Sequence, residues 1–274
     1  MFSVNTNVGA MIALQNLNAT GAALQKTQNA ISTGMSVASA QDNGAIWAIA
    51  QNTRANSSAL DSVTQSLQRA QSAVDVANSA GTSISDILTQ MKQKSLAASD
   101  TSLDTTSRAA LNADYTSLRD QIGKIVSNAD FNGTNLLDGS IANIQALANS
   151  SGTSTLTVTG QNLSLGGAIV TIGATSSIST AALATTELAK VSASITQVDS
   201  ALANLGTASQ AIGRQITFVG KLQDTLNAGV GNLVNADLAK ESAHLQALQT
   251  KQQLGVQALS IANSSSSALL GLFR

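Results

Sequence analysis

The 274-residue chain has no cysteine and no proline, one histidine, one tryptophan, one tyrosine and four phenylalanines. Each shortage excludes something. Without cysteine there is no disulfide frame, zinc ribbon, iron–sulfur site or thiol nucleophile. One histidine cannot supply a His-x-x-x-His metal pair on a helix. Charged residues make up only 11% of the chain and the net charge is −1, so nothing in the composition provides the basic footprint that nucleic acid requires. No run approaches the ~18 apolar residues of a membrane span. The first lysine is Lys26, so the charged start of a secretory signal is not expected. A hydrophobic fraction of 43% with near-zero net charge is the opposite of the disorder signature.

The missing proline also permits something, because a proline inside a helix costs about 3 kcal/mol. What fills the chain is consistent with long helices. Leu60, Val63, Leu67, Ala70, Val74, Ala77, Gly81, Ile84, Leu88 and Met91 alternate steps of three and four, the seam of a coiled coil. A shorter seam runs through Leu111, Tyr115, Leu118, Ile122 and Ile125, with Asp104, Thr105 and Thr106 upstream as cap candidates. The longest seam begins at Leu188 and Val191 and reaches Val230 and Leu233. At 1.5 Å per residue it predicts a helix of roughly 70 Å, too long for a compact globule.

The ends carry weaker seams: Leu14, Leu17, Gly21, Leu24, Gln28, Ile31 and Met35 near the start, and Leu238, Leu245, Leu248 and Leu259 near the finish. The phase breaks between Leu233 and Leu238, a step of five that marks a helix boundary. The matching break is at Met35–Gly44, where Gly34, Asn43 and Gly44 loosen the helix. Between residues 139 and 186 there is no charge at all. There, Ser150–Gly160 alternates with period two and Leu163–Ile172 is an apolar run, which predicts two short strands paired as a hairpin, the alternative being a disordered Ser/Thr/Gly linker. The fold class expected is mainly α: long antiparallel helices in a coiled-coil-like rod bundle with a small β-hairpin region. An enzyme would need a clustered acid, base or nucleophile, and the scattered acids with one histidine offer none; neither a cofactor nor a metal is expected. His244 is expected as a surface or interface residue, and Trp47 as an interface or core residue near the junction.

Several short stretches, taken in order, resemble the bacterial flagellin family. Val4-Asn5-Thr6-Asn7 opens the chain; Ile31-Ser32-Thr33-Gly34, Ser39-Ala40-Gln41-Asp42 and Ala48-Ile49-Ala50 follow. Phe131-Asn132-Gly133 and Leu136-Leu137-Asp138-Gly139 resemble the turn that closes the family's N-terminal helical part. Ala236-Asp237-Leu238-Ala239-Lys240-Glu241, Ser260-Ile261-Ala262-Asn263 and Leu269–Arg274 resemble its C-terminal signature. Ala45–Ala50 is nearest to alphaproteobacterial members, and the short middle matches forms without large outer domains. The chain departs from the family pattern at Met35-Ser36-Val37, which lacks a basic residue, at Asn43 in place of an acid, and at the serines after Asn263, where a proline is usual.

The resemblance implies a subunit that self-assembles into the flagellar filament, the propeller of swimming, exported without a cleaved signal through the type III apparatus and located extracellularly. The alternative is a hook–filament junction protein or another type III-exported coiled-coil protein. Implied partners are other copies, related flagellins, an export chaperone and the filament cap and junction proteins, with no nucleic acid and no membrane. The domains expected are 1–40 and 234–274 as helices of an inner tube and 41–233 as a surrounding rod, with helices near 44–99, 104–129 and 183–233 and a β/loop region at 130–182. The assembly interface expected is Leu14, Leu17, Leu24, Ile31, Leu238, Leu245, Leu248, Leu259, Leu269, Leu270, Leu272 and Phe273.

Overall fold

In the computed structural model the backbone is described for residues 6–271 and the side chains for residues 6–264. The described residues form five helices: α1 (Val8–Thr33), α2 (Gly44–Ala98), α3 (Thr105–Asn128), α4 (Ala181–Val234) and α5 (Leu238–Gly271). Four short strands lie between α3 and α4: β1 (Asp130–Phe131), β2 (Thr134–Asn135), β3 (Asn143–Leu147) and β4 (Thr155–Thr159). They pair as two antiparallel two-stranded sheets, β1 with β2 and β3 with β4. The chain divides into two compact units, one of Met1–Ala55 with Thr225–Arg274, the other of Asn56–Asp224.

The second unit holds most of the core. Leu60, Leu67, Val74, Ile84, Leu88 and Met91 of α2 are buried along one seam, as are Val191, Val198, Leu205, Ile212 and Val219 of α4. Seam positions therefore become core positions, the outcome expected when a helix hides one stripe of its surface. Gln71 of α2 reaches Ser209 of α4 (2.7 Å), and Gln223 reaches Asp61 (2.7 Å), which fixes α2 and α4 as antiparallel neighbours. Asp104 caps α3: its carboxylate accepts from the backbone N–H groups of Thr106 and Ser107 and from the Ser107 hydroxyl. These bonds, the Ser107 hydroxyl first, hold its pKa below the ordinary carboxylate value. Tyr115 of α3 is fully buried and donates to Glu187 of α4 (3.1 Å), whose other oxygen accepts from Lys190 (2.8 Å). Burial, with the Glu187 charge second, pushes the Tyr115 phenol far above its usual pKa, so this bond keeps its proton on the tyrosine.

The hairpin differs from the expected one. Its strands are β3 and β4, with Ile144 opposite Val158 and Ala146 opposite Leu156; Leu163–Ile172 contains no strand. Leu163, Val170 and Ile172 are nevertheless fully buried. Their backbone is satisfied elsewhere: Leu163 N donates to the Leu137 carbonyl, Gly166 N to that of Ile172, and Thr171 N to the Ser194 hydroxyl on α4. A run with these partners has no need of a ladder. The true partner strand, Asn143–Leu147, escaped notice because its inward residues are only Ile144 and Ala146.

One further property recurs along the helices. Serine and threonine hydroxyls fold back on the carbonyl four residues earlier: Thr20 to Asn16, Ser72 to Gln68, Ser79 to Asp75, Thr82 to Asn78, Thr196 to Ser192, Thr217 to Gly213 and Thr250 to Gln246, among others.

Candidate assembly surface

Within the first unit, α1 begins at Asn7, whose side-chain oxygen accepts from Ala10 N (3.0 Å). The amide nitrogen of the same side chain donates to the Ala262 carbonyl on α5 (2.7 Å), so one asparagine caps α1 and ties it to the far end of α5. From there the two helices run antiparallel. Leu17 lies against Gly255, where an added Cβ would stand 3.3 Å from its methyl. The buried Thr27 hydroxyl meets His244 Nδ1 at 3.3 Å.

α1 ends at Gly34, which takes φ +70°, a backbone conformation open to glycine at no steric cost. The chain then pairs with the α4–α5 connection: Met35 bridges Asn235, Ser36 N donates to the Val234 carbonyl (2.7 Å) and Ala236 N to that of Gly34 (2.9 Å). Val37, Ala50, Val230 and Val234 form a small buried cluster against which Met35, Ile46 and Trp47 pack. Asp42 locks the intervening turn by accepting from Ala38 N, Ser39 N and the Ser39 hydroxyl. The Ser39 backbone bond is the main cause of its lowered pKa. Asn43 caps α2 through Ile46 N (3.1 Å).

The expected interface residues fall into three groups. Leu17, Leu24, Ile31, Leu245 and Leu259 are half-buried and Leu248 is buried, all on α1 or α5, so this part of the seam is hidden to a large degree within the chain. Leu14 and Leu238 are exposed. Leu272 and Phe273, and the side chains of Leu269 and Leu270, lie outside the described residues. Seam reasoning overlooked the most exposed apolar residues: Val8, Met11 (65%) and Ile12 on α1, and Leu254, Val256 and Ile261 (70%) on α5. The signal was present as spacing. Val8, Met11 and Ile12 stand at i, i+3 and i+4, a second stripe on the opposite side of the helix from Leu17, Leu24 and Ile31. Two apolar stripes on one helix exceed what one partner helix covers.

On α1 this surface is also nearly free of charge, while α5 adds Lys240, Glu241 and Lys251. Through residue 53 the chain carries only Lys26 and Asp42. Among the described residues no group of three or more His, Cys, Asp or Glu side chains is placed to hold a metal ion. What the arrangement can do is bury apolar area against another surface. At about 25 cal/mol per Å² this favours association strongly once thousands of Å² are covered.

Comparison with known proteins gives the same direction. Residues 4–142 match the bacterial flagellin N-terminal helical region, and residues 188–273 the bacterial flagellin C-terminal helical region. Flagellin FljM of Caulobacter vibrioides is 57% identical over 272 residues, covering 99% of this chain and 98% of that protein. Flagellin FljJ of the same organism is 45% identical with the same coverage. A flagellin of Brucella melitensis is 37% identical over the whole of both chains. With both terminal regions matched and similarity running end to end, this chain belongs to the bacterial flagellin family.

Proposed function

We propose that the chain is a structural subunit of the bacterial flagellar filament, polymerising with copies of itself and with related flagellins, and that its terminal helices carry the main contacts between copies. The observation that carries this reading is the exposed apolar surface of α1 and α5. Val8, Met11, Ile12 and Leu14 on one helix and Leu254, Val256 and Ile261 on the other are exposed, and exposed apolar stripes of this size mark interaction sites. A polymer rather than a closed ring requires that the surface meet a different surface on the next copy.

In this reading residues 1–40 and 234–274 form the inner tube of the filament and residues 41–233 the surrounding shell. The seam of half-buried Leu17, Leu24, Ile31, Leu245 and Leu259 and buried Leu248 holds α1 to α5, and Leu14, Leu238, Leu269, Leu270, Leu272 and Phe273 join the outer stripe in covering the neighbour. The subunit works outside the cell, in the filament. Its further partners are an export chaperone that shields the same apolar helices before secretion, and the cap and junction proteins at the filament ends.

The experiment is polymerisation of the purified full chain from seeds, followed by electron microscopy. Long filaments are expected. A chain that stays monomeric at high concentration with seeds present, while folded, overturns the reading.

A further inference from the structure

Two features of the unit Asn56–Asp224 are left unexplained by its own packing. The first is Phe218 on α4. It is the one aromatic ring among the described residues that is exposed, at 56%. Its place on the helix matters. Asn204, Thr207, Ala208 and Ala211 of α4 lie under the β4 edge of the hairpin, and Gln215 donates to the Ala148 carbonyl at the end of β3 (3.0 Å). Phe218 is one turn beyond Gln215 and two beyond Ala211, so it continues the stripe that the hairpin covers, just where the cover stops.

The second feature is a cavity of about 190 Å³ at the β3 edge of the same hairpin. α2 supplies its floor with Ala70 and Ala73, and Phe131 and Ile144 supply apolar walls. Arg69 stands at its rim, exposed, with neither a hydrogen bond nor an ion pair among the described residues. The recess is open to solvent, and Ser66, Asn132, Thr134 and Gln145 complete its lining; by volume alone, with about 150 Å³ enough for benzene, it has room for a phenyl ring.

We propose that Phe218 of one copy inserts into the Arg69–Phe131 cavity of a neighbouring copy, forming a side-to-side contact separate from that of the terminal helices. The inference rests on the reading of the chain as a filament subunit and names a contact within it. The ring and the cavity are different surfaces of one unit, so a head-to-tail repeat of the contact runs from copy to copy without closing. The inserted ring lies on Phe131 and under the Arg69 guanidinium, which is without a partner and finds a π-face there. Charge agrees as well. Arg214, one turn before Phe218, makes no bond among the described residues, and Asp130 stands exposed next to Phe131 with one oxygen engaged by Gly133 N (3.1 Å). The ring thus has a basic neighbour and the cavity an acidic one.

The chain has no cysteine, which makes the test direct. Full-length Phe218→Cys and Gln145→Cys chains, the latter altered at an exposed residue lining the cavity, are copolymerised and oxidised. Each chain holds one thiol, so a disulfide between them is necessarily intermolecular. Two-chain species are expected from the mixed filaments, and none from either chain alone or from unpolymerised mixtures. Mixed filaments without cross-links overturn the proposal. In parallel, Phe218→Ala is expected to raise the critical concentration for growth about tenfold or more, with the isolated subunit's circular dichroism and melting unchanged. Growth at the unaltered concentration overturns the contact. If Phe218→Cys stays folded but does not enter filaments, the loss supports it. Failure of the unaltered chain to polymerise overturns the underlying reading and this contact with it, whereas normal polymerisation of Phe218→Ala overturns the contact alone.

Discussion

The two compact units use the same helical material for different ends. In Asn56–Asp224 the seam of α2 is buried from Leu60 to Met91, on α4 buried seam positions from Val191 to Val219 alternate with half-buried ones, and Tyr115, Ile122 and Val126 of α3 are buried with them. In the other unit α1 contributes only Thr27 and Ala30 as buried residues and α5, among its described side chains, only Leu248, while eight large apolar side chains from Val8 to Ile261 on those helices stand in water. The first unit thus satisfies its apolar surface internally, and the second leaves much of it to be satisfied by another molecule. Burial, and not hydrophobicity as such, separates a folding core from an assembly surface: Leu67 and Met11 are similar side chains with opposite destinations.

Substitutions can break this comparison. The largest effect on the isolated subunit is expected at Leu67→Ala or Leu205→Ala. Both side chains are essentially fully buried, and such truncations cost about 2–5 kcal/mol, read as a shift in the denaturant midpoint. Next comes Gly160→Ala. An added Cβ there would collide with the Ile141 carbonyl oxygen, a backbone atom that cannot swing away, and overpacking of this kind costs about 1–3 kcal/mol. Smaller again are Met11→Ala and Ile261→Ala. These should change the subunit's unfolding free energy by within about 0.5 kcal/mol yet raise the concentration at which filaments grow. Equal effects of Leu67→Ala and Met11→Ala on unfolding would erase the distinction between the units.

The smallest effect is one the two units share. Asp42 in one and Asp104 in the other both have pKa values lowered by hydrogen bonds to the ionised form. A lowered folded-state pKa adds stability above the unfolded carboxylate value, and that stability is lost as pH falls through the folded-state value. Urea unfolding followed from about pH 7 down to about pH 3 should show a falling midpoint. Asp104→Asn, which keeps an acceptor but no charge, should make that fall shallower. A steeper fall in the variant would contradict the assignment.

Much of this was legible in the sequence. The absence of proline and the three-four seams identify α2 and α4, because a buried stripe must repeat with the helix. Asp104 is readable as a cap from its place before a periodic run. Other parts were not legible. β3 has too few apolar residues to alternate visibly, and the Leu163–Ile172 run obtains its hydrogen bonds from side chains and loops, which leave no local pattern. The surface on α1 was missed in part because a seam search reports the stripe that contacts a known partner helix. Val8, Met11 and Ile12 lie off that stripe, and only three-dimensional burial tells the covered stripe from the uncovered one.

The back-bonded hydroxyls have a consequence for how such helices can meet. A serine or threonine that faces water usually has a donor which water satisfies, and a contact that expels the water must replace that bond or bear the penalty of an unpaired polar group. On these helices Thr20, Ser72, Ser79, Thr82, Thr217 and Thr250 already give their proton to their own backbone. Their polar appearance in the sequence is therefore misleading. Dehydrating them strands no donor, and the methyl groups of the threonines remain to make van der Waals contact. A surface with many hydroxyls and few charges can in this way stay wettable in the single chain and still close dry against another.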